Sequence, residues 1–367
     1  MNGHKLRGRH YQTGESVEID VADNRIRSVI PVAHDPEYPW LAPALVDLQV
    51  NGYAGVDFQR DIVTADDLHH AAAALARDGC GAWLLTLITD EWQSLLRRLA
   101  RLKALRDQSP HLRETILGWH IEGPYLSTEP GYRGAHNEAM MSNPGTAAIE
   151  ELYQITTGDP VLLTLAPERE GSPQAVARAA SLGMRVSAGH TNATAEQLQR
   201  AVEAGLTAFT HLGNGMPQVI DRHDNIVCRA LDTDGLTYGL IPDGIHVSPQ
   251  LFRLFHRVLP ADRIYYTTDA MAAAGAPPGR YTIGRVELEV GEDEVVRMPG
   301  ATNFAGSALR PIDGVRRAAR MLGLDWRKVW DTASVNPARL MGWNHGLKAG
   351  CPAKVLTLTG DAVIQRA

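Results

Sequence analysis

The sequence predicts an α/β protein: one (β/α)8 TIM-like barrel beside a small β-sandwich domain built from both chain termini. Three observations predict it. Eight short apolar runs are spaced through the middle of the chain, helix start and stop signals lie between them, and both ends hold β-like stretches without a convincing helix. The runs fall near 44–50, 82–88, 116–121, 161–165, 185–189, 206–210, 236–241 and 263–268, and eight is the strand count of a closed parallel barrel. The expected division is 1–43 for the first part of the β domain, 44–340 for the barrel and 341–367 for the returning part of the β domain.

In chain order, Ser16-Val-Glu-Ile-Asp-Val21 and Arg25-Ile-Arg-Ser-Val-Ile30 alternate as strands do. Thr64-Ala-Asp-Asp67 is a capping box ahead of an alanine-rich helix that stops at Gly79. Ala82-Trp-Leu-Leu-Thr-Leu-Ile88 has the near-continuous apolarity of a strand buried on both faces. Ser172-Pro173 opens a helix with proline in its first turn, and Gly183 follows its end. Thr194-Ala-Glu-Gln197 is a second capping box, and Gly205 closes that helix. Tyr281 to Arg297 reads as a hairpin inserted after the eighth strand, and Val355-Leu-Thr-Leu358 returns to the β style of the start.

Composition narrows the function. The 367 residues are 44% hydrophobic and 21% charged, which is ordinary for a globular protein. A net charge of −6 gives no electrostatic reason for nucleic acid or an anionic membrane as partner. Cys80, Cys228 and Cys351 are odd in number and scattered, so neither a disulfide framework nor a structural zinc knuckle is expected. No apolar stretch of signal-peptide type follows Met1, and no run approaches the roughly 20 residues of a membrane span, so the expected compartment is the cytoplasm.

The chemistry gathers where the runs end. Glu122 closes Ile116-Leu-Gly-Trp-His-Ile-Glu122, His190 follows Met184-Arg-Val-Ser-Ala-Gly, His211 follows Leu206-Thr-Ala-Phe-Thr, and Asp269 follows Arg263-Ile-Tyr-Tyr-Thr-Thr. If these runs are parallel strands of one sheet, all four polar groups meet at one rim. Two imidazoles and a carboxylate suit a catalytic divalent ion with a position left open for water, and the aspartate beside them is the natural proton carrier. Zinc fits this donor set, as do Fe, Co and Mn. His4, His10, His34, His69, His70, His111, His256 and His345 show no such placement and are taken as ordinary core or surface residues.

These motifs continue along nearly the whole chain. They include Asp47-Leu-Gln-Val-Asn-Gly52, His120-Ile-Glu-Gly-Pro-Tyr125, Gly134-Ala-His-Asn137, Ser187-Ala-Gly-His-Thr-Asn-Ala-Thr194 and Thr210-His-Leu-Gly-Asn-Gly-Met216. Further along come Ile241-Pro-Asp-Gly-Ile-His-Val-Ser248, Thr268-Asp-Ala-Met-Ala-Ala-Ala-Gly275, Phe304-Ala-Gly-Ser-Ala-Leu309 and Gly346-Leu-Lys-Ala-Gly350. In this order they resemble the N-acetylglucosamine-6-phosphate deacetylases, a branch of the amidohydrolase superfamily.

The resemblance implies hydrolysis of an acetamide on a small amino-sugar phosphate by a homodimeric enzyme, with one ion on Glu122, His190 and His211 and with Asp269 moving the proton. Many amidohydrolases hold a second ion on a His-x-His pair. Here the corresponding place reads Asp47-Leu-Gln49, and the neutral Gln49 is a poor ligand expected near the metal without binding it. His136 matches the position that touches the sugar and orients the acetamide. Asn214 and Gly215 match substrate contacts, Phe304, Ala305 and Gly306 match the loop that covers the sugar, and Arg222 with His246 match the phosphate contacts.

Two departures bear on the sugar. Asp221-Arg-His-Asp-Asn225 replaces the family's longer Arg-Glu-Pro-Gly context, and Asn-Gly-Met stands for the usual Asn-Ala-Met. His223 is either an extra phosphate donor or an exposed loop residue. Another N-acetyl hexosamine as substrate, N-acetylgalactosamine 6-phosphate or an unphosphorylated sugar, remains open, as does a different amide on the same fold. A non-catalytic sugar-phosphate sensor is the alternative from another class; the complete Glu-His-His-Asp set argues against it.

Overall fold

The computed structural model describes residues 3–298 and 306–365. Its centre is an eight-stranded parallel sheet rolled into a barrel, formed by β1 (Leu45–Val50), β2 (Cys80–Ile88), β3 (Ile116–Glu122), β4 (Val161–Leu165), β5 (Arg185–Ala188), β6 (Ala208–Phe209), β7 (Thr237–Leu240) and β8 (Ile264–Tyr266). Each overlaps one of the eight expected apolar runs. Every strand pairs with the next in sequence, and a parallel bridge between Val50 and Ala270 completes the ring. Because all eight run the same way, the residues that follow them share one rim. Glu122 lies level with Ile88 on β2 and with Thr164 on β4.

Local signals set the intervening helices. Both capping boxes form reciprocally, Thr64 with Asp67 and Thr194 with Gln197. Gly205 ends the second of these helices at φ 116°, a left-handed geometry that glycine adopts without a Cβ penalty. The helix Ser172–Ser181 is capped by Gly171, so Ser172 lies inside its first turn and donates its hydroxyl to the Ala166 carbonyl.

The termini meet as expected. His4–His10, Ser16–Ala22, Arg25–Pro31, Trp40–Pro43 and Val355–Leu358 form one five-stranded sheet. Tyr11, Val17, Ile19 and Trp40 pack from it into the same apolar core as Trp326 and Trp330, and Trp330 Nε1 donates to the Pro43 carbonyl.

The insertion after β8 has three strands rather than the two of a hairpin: Gly279–Ile283, Val286–Val290 and Val296–Arg297. Sequence periodicity could not reveal the third, which is only two residues long. Its apolar face packs on Met271, Ala272 and Ala273, so it braces the segment just past Asp269. Among the described residues, no helix is long and apolar enough to cross a membrane.

Candidate active site

Glu122 is the last residue of β3, and His190, His211 and Asp269 lie just beyond β5, β6 and β8. The structure therefore brings the four expected groups to one rim. Three of them share an unusual backbone: His190 has φ 50°, His211 φ 31° and Asp269 φ 52°. A non-glycine residue in this region is strained by about 1–3 kcal/mol and persists only where its surroundings hold it. Here each is held by its own carbonyl. That of His190 accepts from Ser127 N–H at 2.9 Å, that of His211 from Asn214 N–H at 2.9 Å, and that of Asp269 from Ser307 N–H at 3.0 Å.

The side chains converge on the buried Glu122. Its Oε1 lies 2.9 Å from His211 Nε2 and 3.4 Å from His190 Nε2, and its Oε2 lies 3.8 Å from His136 Nε2. Two ligand atoms on one tetrahedral zinc, at 2.0–2.1 Å from the ion, stand about 3.4 Å apart, so this spacing is close to that of a ligand set. Glu122, His136 and His190 form the compact donor set, all within 4.8 Å of one another, and His211 stands beside it at 2.9 Å from Glu122 Oε1. Burial alone would raise the Glu122 carboxyl, but the His190 and His211 rings prevail and hold it well below the usual carboxylate value. Burial likewise works against charge on His211, yet Glu122 prevails and raises its pKa. A cation entering between them would displace the shared proton.

The surrounding hydrogen bonds present the imidazoles correctly. His190 Nδ1 lies 2.9 Å from the Tyr132 carbonyl, so Nδ1 carries a proton and Nε2 is turned toward Glu122. Two glycines let backbone approach that ring: a Cβ at Gly134 would fall 2.8 Å from His190 Cε1, and one at Gly215 would fall 2.6 Å from Nδ1.

His136 is tied at Nδ1 to Thr89 Oγ1 at 2.9 Å, while the Thr89 hydroxyl donates to the Glu122 carbonyl at 3.3 Å. The single hydroxyl proton is thereby used, so His136 donates from Nδ1 and aims an Nε2 lone pair toward Glu122. Burial, helped by His190, lowers the His136 pKa to about 3, so its ring is neutral. The lone pair of the neutral His136 ring, facing a buried carboxylate, fits a bound divalent cation.

Asp269, just beyond β8, is partly buried. Asn51 Nδ2 donates to its Oδ1 at 2.7 Å. Burial and the Glu122 charge raise the Asp269 pKa to about 6, against the lowering effects of His211, His246 and Asn51. The segment before it is anchored by the buried Asp47, whose carboxylate accepts from Thr267 Oγ1 at 2.5 Å and Thr268 Oγ1 at 2.6 Å. Gln49 is buried on β1, with no hydrogen-bond partner for its Nε2 among the described residues.

The remaining expected residues divide. Asn214 and Gly215 lie in the loop beside His190. His246 Nδ1 lies 2.5 Å from Asp243 Oδ2, and Asp243 Oδ1 also accepts the Ile245 and His246 N–H groups. Arg222 and His223 are exposed on the loop after β6. Gly306 packs on Met271 at φ 68°, whereas Phe304 and Ala305 lie outside the described residues.

Sequence reasoning passed over Asn51, Thr89, the Tyr132 carbonyl and Asp243. Thr89 directly follows β2 and could have been found by the strand-end rule that found Glu122. Asp243 stands three residues before His246, a spacing suited to a carboxylate–imidazole pair.

A (β/α)8 barrel whose rim joins a buried carboxylate, imidazoles and a separate aspartate after the last strand defines an amidohydrolase. No family model matches the chain. It is 32% identical over 373 residues to the N-acetylgalactosamine-6-phosphate deacetylase of Escherichia coli O157:H7, covering 99% of this chain and 97% of the relative. It is 33% identical over 317 residues to the N-acetylglucosamine-6-phosphate deacetylase of Rattus norvegicus, covering 82% of this chain and 74% of the relative. Its fold matches a mutant N-acetyl-D-glucosamine-6-phosphate deacetylase from Mycobacterium smegmatis, solved in complex with N-acetyl-D-glucosamine-6-phosphate, at a TM-score of 0.88 and 29% identity over 99% of this chain and 97% of that one. The chain belongs to the N-acetylglucosamine-6-phosphate deacetylase family.

Proposed function

We propose that the protein hydrolyses the acetamide of N-acetyl-D-glucosamine 6-phosphate, giving D-glucosamine 6-phosphate and acetate. The observation that carries this is the convergence of Glu122, His190 and His211, with Asp269 at the same rim, in a chain of this family. Glu122, His190 and His211 would hold one divalent ion, for which zinc is the best match and Fe, Co and Mn share the donors. When bound, the ion polarises the amide carbonyl and makes water a nucleophile near neutral pH.

The chain's own groups do the rest. Asp269 takes a proton from the attacking water and returns it to the amide nitrogen, which leaves as the amine while the acyl carbon leaves as acetate. Its pKa of about 6 suits both halves of that exchange. His136, neutral and steadied by Thr89, orients the acetamide. Asn214 and Gly215, in the loop beside His190, line the sugar's approach together with Gly306. Arg222 and His246 take the 6-phosphate, with His246 aimed by Asp243.

A second substrate has a specific observation in its favour. The relative that covers 99% of this chain is an N-acetylgalactosamine-6-phosphate deacetylase, so the galacto epimer belongs in the same test. Acetate release by the metal-loaded protein, measured on both 6-phosphates and both free sugars, decides the matter. Fast release from N-acetylglucosamine 6-phosphate is expected. Preference for the epimer would change the sugar, and no release from any of the four would overturn the activity.

A further inference from the structure

Asn51 is out of place for a residue that only supports the fold. It is 1% exposed, lies in the loop just after β1, and its backbone is already fixed on both sides. Its N–H donates to the Ala270 carbonyl at 2.7 Å, and its carbonyl accepts from Phe58 N–H and Gln59 Nε2, each at 3.2 Å. The side chain adds nothing to that anchorage. Its Nδ2 reaches Asp269 Oδ1 at 2.7 Å, and its Oδ1 is buried without a partner among the described residues. A buried amide that leaves one end unsatisfied calls for an explanation beyond packing.

The Asp269 side supplies one. The Asp269 backbone is in the left-handed region, and the residues around it are pinned: Thr267 and Thr268 by Asp47, Ala270 by the Asn51 and Gly52 N–H groups, and the Asp269 carbonyl by Ser307. This fixes Cα of Asp269 but leaves rotation of the carboxylate about its side-chain bonds. Asn51 Nδ2 removes that freedom by engaging one oxygen.

We propose that Asn51 is a positioning residue for proton transfer: its amide holds Oδ1 of Asp269, so that Oδ2 accepts the proton from water and hands it to the leaving nitrogen. The inference rests on Asp269 being the proton carrier of the proposed reaction. Asn51 touches neither proton nor substrate in this scheme, and it acts on the chemical step through the orientation of the carboxylate.

The test is a double-mutant cycle on metal-loaded protein, with Asn51→Ala and Asp269→Asn made singly and together. Asn51→Ala is expected to lower kcat about 10- to 100-fold with KM changed less than about threefold and metal content unchanged. In the Asp269→Asn background the same change is expected to alter kcat less than about twofold, because no carboxylate remains to be aimed.

Asn51→Leu is the second variant. It keeps nearly the side-chain volume but has no N–H to donate to Asp269, so it should reproduce the kcat loss even if the alanine variant folds poorly. Normal kcat in both single variants would overturn the proposal, and so would an equal fold-loss in both backgrounds. If Asp269→Asn by itself kept normal turnover, the proton-carrier assignment would fail instead, and the two failures are distinguishable.

Discussion

The rim that carries Glu122, His190, His211 and Asp269 is constructed differently from the loop that carries Arg222 and His223. At the rim, Glu122 and both imidazoles are buried, and three residues hold left-handed backbones by hydrogen bonds from three separate loops. Glycines at 134 and 215 let the backbone close on the His190 ring. Along the other loop, Arg222 and His223 face solvent and Val219 is 88% exposed. The first region is over-determined, as bond-making chemistry requires. The second exposes its side chains to solvent and can change them at small cost to stability. If Arg222 meets the substrate as proposed, such a division lets the reaction stay fixed while that contact varies, in keeping with the unusual Asp221-Arg-His-Asp-Asn225 context.

Substitutions in the first region should therefore be severe and general. His190→Ala or His211→Ala is expected to lose both the metal and turnover on every substrate, as elemental analysis beside acetate assay would show. A variant that kept its metal would break the ligand assignment. Asp269→Asn comes next: metal and fold kept, kcat lower by about 10²–10⁴-fold, the range for a missing general acid–base. Turnover close to normal would make Asp269 a structural residue.

Substitution in the second region should be milder and selective. Arg222→Ala is expected to raise KM for the phosphorylated sugar about 10- to 150-fold, from a charge-assisted bond of roughly 1.5–3 kcal/mol, with little effect on the free sugar. Equal damage to both sugars would mean that Arg222 shapes the loop rather than binds phosphate.

The smallest effect is on pH. Asp269 must be ionised to accept a proton, so activity is present above its pKa and is lost as pH falls through it. Burial and Glu122 raise that pKa to about 6, and a bound dication draws it lower, so the acid limb of kcat/KM should lie at or below about 6. A limb well above that value would contradict the assignment.

The same contrast explains what the sequence could reveal. The eight strands were legible because apolar runs, capping boxes and glycine stops are local signals, and the four rim groups were legible because each follows such a run. The left-handed backbones of His190, His211 and Asp269 were not, since they depend on N–H donors from Ser127, Asn214 and Ser307, which only the folded loops supply. Nor was the Asn51–Asp269 bond, which joins residues 218 positions apart. It exists because the Val50–Ala270 bridge closes the barrel there. His136 was placed on the sugar by resemblance, and its approach to Glu122 emerged only from the geometry.

The central claim is one metal ion acting with one proton carrier at this rim. It is tested most directly by stripping the protein of metal and measuring acetate release as zinc is added back. Activity should be absent at the start, rise in proportion to added metal and reach its plateau at about one equivalent per chain. A plateau at two equivalents would contradict the reading of Gln49 as a non-ligand, and full activity in the stripped protein would contradict the metal-dependent mechanism itself.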